Sequence, residues 1–175
     1  MARRVAFLIG NQTFRPDSGL LPLRGPANDL AALARLLRDP RRGRFEVYEF
    51  LDKAHHEVLP EIAQALGSAA PADLFLIYYS GHGKLDRKGR LCLATADTSQ
   101  GALLATSIPP RNLRDLVEES DCDQVVLLLD CCYSGAVDGL RGDVSSELVD
   151  KIIRMVPSAC QRFCGFWPRT KGTKR

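Results

Sequence analysis

The chain is 175 residues long, 45% apolar and 26% charged, with a formal net charge of +3. That length holds one domain and a short appendage, excludes a second catalytic domain, and suffices to bury a core without disulfides. The surplus charge is local: Arg162, Arg169, Lys171, Lys174 and Arg175 carry no acid among them, which leaves 19 basic against 21 acidic groups elsewhere.

A near-neutral body argues against nucleic acid as a partner, and the basic end reads as a solvated tail. No apolar run reaches the roughly 18 residues of a membrane span, and the apolar stretch in MARRVAFLIG is too short for a secretory signal. A cytoplasmic protein without membrane contact is expected. The six cysteines (Cys92, Cys122, Cys131, Cys132, Cys160 and Cys164) are scattered rather than spaced as a disulfide framework, so reduced thiols are expected.

Taken in chain order, Arg4 to Gly10 (RVAFLIG) is a continuous apolar run, the pattern of a strand buried on both faces. After a loop rich in Gly and Pro, Leu30, Leu33, Leu36 and Leu37 recur at helical spacing and predict an amphipathic helix over Ala27 to Arg38. Phe45 to Leu51 reads as a second strand, and Val58, Leu59, Ile62, Ala65 and Leu66 mark a second helix stopped by Gly67. Leu74 to Tyr79 (LFLIYY) is a third buried strand, followed by the loop SGHG at Ser80 to Gly83.

Asp86 to Ala96 carries a turn signal at Lys88 and Gly89 between short β-like arms, a small surface hairpin. A third helix covers Pro110 to Glu119, and Gln124 to Asp130 (QVVLLLD) is a fourth buried strand running into CCYSG. Beyond it, Leu148, Ile152 and Met155 mark a helix over Ser146 to Val156, and the end, CQRFCGFWPRTKGTKR, has no strand signal. Strands alternating with helices predict an α/β fold with a mainly parallel central sheet and helices on both faces. The expected organisation is one catalytic domain over residues 1–156 and a basic, disordered tail over 157–175.

Function in such sheets gathers beyond the carboxyl ends of the strands, where His82 and Cys132 both fall. They are fifty residues apart in sequence, but neighbouring strands would bring their following loops together. A cysteine becomes a nucleophile near neutral pH when a histidine stabilises its thiolate. Glycines at 81, 83 and 135 let the backbone turn sharply and approach a substrate, as acyl transfer requires.

The motifs YYSGHG at Tyr78 to Gly83 and LLLDCCYSG at Leu127 to Gly135 resemble the caspase and metacaspase clan of cysteine peptidases, whose histidine-to-cysteine spacing is about fifty residues. RVAFLIGNQTF at Arg4 to Phe14 and LRGPANDL at Leu23 to Leu30 resemble the first strand and first helix start of metacaspases and their prokaryotic relatives. The animal caspase pentapeptide is absent, and DCCYSG is closer to the metacaspase form. The resemblance implies His82 and Cys132 as the catalytic dyad, with backbone N–H groups of Gly83 and Cys132 holding the oxyanion. Cys131 would point the opposite way along a strand, as a packed core thiol.

The resemblance further implies a pocket for a basic P1 residue formed by Asp29, Ser80 and Asp130. Two carboxylates in a cleft favour guanidinium or ammonium and penalise an acid. The expected activity is therefore a cysteine endopeptidase acting on protein or peptide substrates after Arg or Lys. No side chain is evident in the sequence to orient His82.

Other candidates are weaker. His55 and His56, at a helix start, read as solvated. Cys160 and Cys164 lack a second pair at zinc spacing, so no metal is assigned. SGHGKLDRKG lacks the third glycine of a dinucleotide loop, and no phosphate-binding GK followed by Ser or Thr occurs. No cofactor is expected. Active metacaspases often respond to calcium, but no oxygen-ligand loop of recognised spacing is present.

Caspase-like domains continue with two further strands that this sequence lacks the signals for. The fourth strand would then offer a bare apolar edge to a homodimer partner or a second chain completing the sheet. The alternative function is a catalytically weak caspase-like interaction or regulatory module.

Overall fold

A computed structural model describes residues 2–131 in full, together with the backbone of residues 132–133 and 162–168. The helix expected over Ser146 to Val156 and the thiol of Cys160 lie outside the described residues.

The uninterrupted apolar run of β1 (Arg4–Gly10) places it between two parallel neighbours, β2 (Glu46–Leu51) and β3 (Leu74–Leu85), and β3 pairs in parallel with β6 (Gln124–Tyr133). Among the described residues three α-helices accompany them: α1 (Pro26–Arg38), α2 (His55–Gly67) and α3 (Pro110–Glu119). Prolines at the first turns of α1 and α3 suit positions where the missing N–H has no helical partner.

The two-residue period of the strands builds two cores. Val5, Phe7 and Ile9 join Phe75, Ile77 and Tyr79 on one face, packed against Val58, Ile62 and Leu66 of α2 and Leu113 of α3. Ala6 and Leu8 join Leu76 and Tyr78 on the other face, under Leu30 and Ala34 of α1. Helices therefore cover both faces, as the sequence predicts. Each large core side chain such as Phe7 or Phe75 contributes about 1.5–3 kcal/mol over its exposed state.

The sheet itself differs from the expectation of a mainly parallel one. Among the described residues it has seven strands, with three parallel and three antiparallel pairings. The stretch SGHG is not a loop, because β3 continues five residues past Ser80, its last partner for β1. The side that β1 vacates is taken by β4 (Leu91–Ala94), antiparallel to Gly83–Leu85, and β4 carries β5 (Ser107–Ile108). Backbone pairing partners thus override the weak strand propensity of Ser and Gly.

Arg162–Pro168, within the stretch read as a disordered tail without strand signal, forms β7 antiparallel to β6 from Gln124 to Asp130. The edge of β6 expected to be bare is therefore covered along that length. Among the described residues no helix is long and apolar enough to cross a membrane.

Tyr79 ties the extension of β3 to β4. Its fully buried hydroxyl lies 2.8 Å from the His82 carbonyl and 2.6 Å from the Ala94 carbonyl, joining β3 to β4. A Cβ on Gly81 would fall 2.5 Å from that hydroxyl, so only glycine fits. Gly81→Ala is expected to lower stability by about 1–3 kcal/mol, the usual cost of overpacking a core, measured by urea unfolding.

The start of β3 is held by Asp73, whose carboxylate accepts from the Arg3 N–H (2.7 Å), the Ala70 N–H (3.0 Å) and Arg3 Nε (3.1 Å). The backbone N–H groups of Ala70 and Arg3 hold its carboxyl below the ordinary range, more than burial raises it. A depressed carboxyl adds stability above the unfolded value near 4 and loses it as pH falls through the folded value. Asp73→Asn should therefore unfold more easily than the wild type at neutral pH, and urea melts should show the gap closing in acid.

Candidate active site

Across the ladder between β3 and β6, Ser80 is the Cα partner of Asp130 and His82 that of Cys132. Paired strands lie about 4.8 Å apart, so fifty residues of sequence become one rung of the sheet. Cys131 is 5% exposed within the core under α2 and α3, and Cys132 takes the alternate position of the strand. Both Gly83, in register with Leu93 and Tyr133, and Ser80 are buried.

His82 is half-buried, with its Nε2 2.9 Å from the carbonyl oxygen of Leu21 and its ring 5.2 Å from that of Phe14, tilted by 49°. A carbonyl only accepts, so Nε2 carries the proton and a neutral His82 keeps its Nδ1 lone pair. The orienting group that no side chain in the sequence supplied is thus a backbone carbonyl. The Leu21 side chain is 79% exposed and takes no part in the core.

That carbonyl is held by a loop fastened along its length. Asp52 accepts from the N–H groups of Gln12 (2.7 Å) and Thr13 (3.0 Å), and Leu23 N–H reaches the Gln12 carbonyl (2.9 Å). Arg15 N–H reaches the Ala96 carbonyl (3.2 Å), and Lys84 Nζ donates to the Ser18 carbonyl at 2.6 Å. Asp52 sits in the left-handed region at φ 51°, with its own N–H on the Gly10 carbonyl (2.8 Å).

The remaining residues singled out from the sequence are also brought together. The Ser80 hydroxyl donates to Asp29 in the first turn of α1 at 3.3 Å, and the Tyr78 hydroxyl lies 3.5 Å from Asp130. Burial pushes the Tyr78 hydroxyl up to about 12, opposed by the Ser80 hydroxyl and reinforced by the negative charges of Asp130 and Asp29. Both carboxylates therefore act on one spot, and Asp29 remains exposed there.

Tyr78, Phe14 and Leu21 are members of this arrangement that sequence reasoning missed. Tyr78 lay inside the motif YYSGHG, where it reads as a core aromatic. A carbonyl carries no signal at all in residue type.

Tyr79→Phe should lower stability by about 1–3 kcal/mol, because the one hydroxyl proton shared by the Ala94 and His82 carbonyls is lost. Thermal unfolding checks the loss, and a shifted His82 imidazole resonance checks that the backbone beneath it has moved.

A sheet whose adjacent central strands carry a histidine and a cysteine in register, flanked by helices on both faces, belongs to the caspase-like class of folds. A family model described as the caspase domain of the C14 peptidases matches residues 3–166, and the chain belongs to that family. No match is found among curated proteins. Among solved structures it is similar to protein GSU0716 from Geobacter sulfurreducens, with a TM-score of 0.57 and 24% identity over 77% of this chain and 52% of that one. The chain thus spans about half the length of that protein, and the likeness is one of fold.

Proposed function

We propose that the chain is a cysteine endopeptidase in which His82 and Cys132 form a catalytic dyad and the substrate is cut after Arg or Lys. The observation that carries this reading is the register of His82 with Cys132 at the end of the ladder, with the Leu21 carbonyl fixing the imidazole. Family membership supports a peptidase.

In the proposed reaction the Cys132 thiol gives its proton to His82 and its sulfur bonds to the scissile carbonyl carbon, whose π electrons move onto oxygen. The oxyanion is assigned to the backbone N–H groups of Gly83 and Cys132 on the family resemblance. Collapse of this intermediate breaks the C–N bond, and His82 returns the proton to the departing amine. Water then attacks the thioester with His82 as base, releasing the acid and restoring the thiol. Leu21 acts by orientation alone, holding the proton on Nε2 throughout the first step.

For the P1 side chain, Asp29 and Asp130 supply negative charge around Tyr78 and Ser80. A guanidinium pairs with such carboxylates, while an Asp side chain would meet repulsion.

The alternative reading is a weakly active interaction or regulatory module. Peptide substrates carrying Arg, Lys or Asp at P1 separate the two. Turnover of the Arg peptide is expected, reduced at least about a thousandfold in Cys132→Ala. Asp130→Asn should lower kcat/KM for the Arg peptide roughly 10- to 100-fold, the worth of one charged hydrogen bond. No turnover and no labelling of Cys132 by a thiol-reactive Arg peptide would leave the module reading, and a preference for Asp would overturn the pocket.

A further inference from the structure

Away from the dyad, the N-terminus of α2 and the loop after β4 place His55, His56 and Asp97 together. One ligand atom from each lies within 4.8 Å of the others. Asp97 Oδ2 is 2.9 Å from His55 Nδ1 and 3.7 Å from His56 Nδ1. The second distance is too long for a hydrogen bond. It is, however, close to the spacing of two ligand atoms on one ion with bonds of about 2.0–2.2 Å. The rings of the two histidines meet edge to face at 5.4 Å, and each has Nδ1 within 4 Å of the same carboxylate oxygen.

The carboxylate is prepared for this role by its other oxygen. Asp97 Oδ1 accepts from the His55 N–H (3.1 Å) and the Thr95 hydroxyl (2.8 Å), which fixes the plane of the group and turns Oδ2 outward. Such outer contacts are what orient a metal-binding carboxylate. Thr95 is fully buried, His55 and Asp97 side chains are 24% exposed, and that of His56 is 69% exposed. Three protein ligands on a half-buried floor, with a solvent side, leave a coordination position for water.

From this the geometry points to a binding site for a divalent transition metal of the zinc type, held by His55 Nδ1, His56 Nδ1 and Asp97 Oδ2. The ion takes the place of the proton in the His55–Asp97 hydrogen bond, and the exposed His56 ring swings in as the third ligand. Two imidazoles select zinc, cobalt or nickel over calcium and magnesium, which seek oxygen ligands. The ion ties the start of α2 to the loop after β4. That loop also holds the Ala96 carbonyl on which Arg15 rests, one residue from the Phe14 ring that flanks His82.

The test is titration of the full chain with Co2+ as a spectroscopic probe, followed by displacement with Zn2+. One equivalent is expected to give visible bands of nitrogen and oxygen ligation without a thiolate charge-transfer band, which separates this site from the cysteines. His56→Ala should weaken binding about tenfold or more and remove the rise in unfolding temperature that Zn2+ gives the wild type. Because His56 is largely exposed, this variant keeps its fold, checked by circular dichroism. Asp97→Asn should weaken Co2+ similarly, and Ca2+ should not compete. Unchanged Co2+ affinity in His56→Ala, or binding through thiolate alone, would overturn the assignment. Peptide turnover is not a readout here, so this result stands apart from the fate of the peptidase proposal.

Discussion

The constraint on which the molecule depends is the parallel ladder between β3 and β6. Its register is set by two cores at once, since Phe75, Ile77, Tyr79, Val125 and Leu129 go to one face and Leu76, Tyr78, Val126 and Leu128 to the other. A slip of one residue would exchange the two sets and set His82 opposite Cys131 or Tyr133. Packing of aliphatic side chains far below the rim thus decides which sulfur stands on the rung of the imidazole. The register at the top is a consequence of the hydrophobic effect lower down.

The polar groups follow from the same arrangement. Because Ser80 and Asp130 share a rung two residues before His82 and Cys132, they fall at equivalent positions of the pleat. Asp29 reaches them from α1, whose Leu30 packs on that same face, and the close approach of Leu30 to Gly10 leaves no room for a side chain there. An acid in the first turn also suits the positive end of the helix dipole. One helix therefore anchors its apolar side below and carries its carboxylate to the rim.

Much of this was legible in residue order. Continuous apolar runs marked β1 and the first parts of β3 and β6, and apolar spacing marked α1 and α3 to within a residue. The extension of β3 through SGHG was not legible, because Ser and Gly argue locally for a turn, whereas β4 and β6 supply partners from elsewhere in the chain. The strand at Arg162–Pro168 was hidden among basic residues, although Phe163, Phe166 and Trp167 are good strand formers. His82 and Cys132 stood out through their glycines and a family motif. His55 and His56 did not, since their carboxylate lies 42 residues from His55 and only the β4 turn returns it.

The Leu21 carbonyl carries a different lesson for how such a site tolerates change. An imidazole steered by main chain is indifferent to the residue that contributes the oxygen, and Leu21 is itself largely exposed. Alanine scanning would pass over that position. Insertions or deletions between Asn11 and Pro26 would instead displace the oxygen, so natural variation should be free in composition at position 21 and strict in the length of that segment.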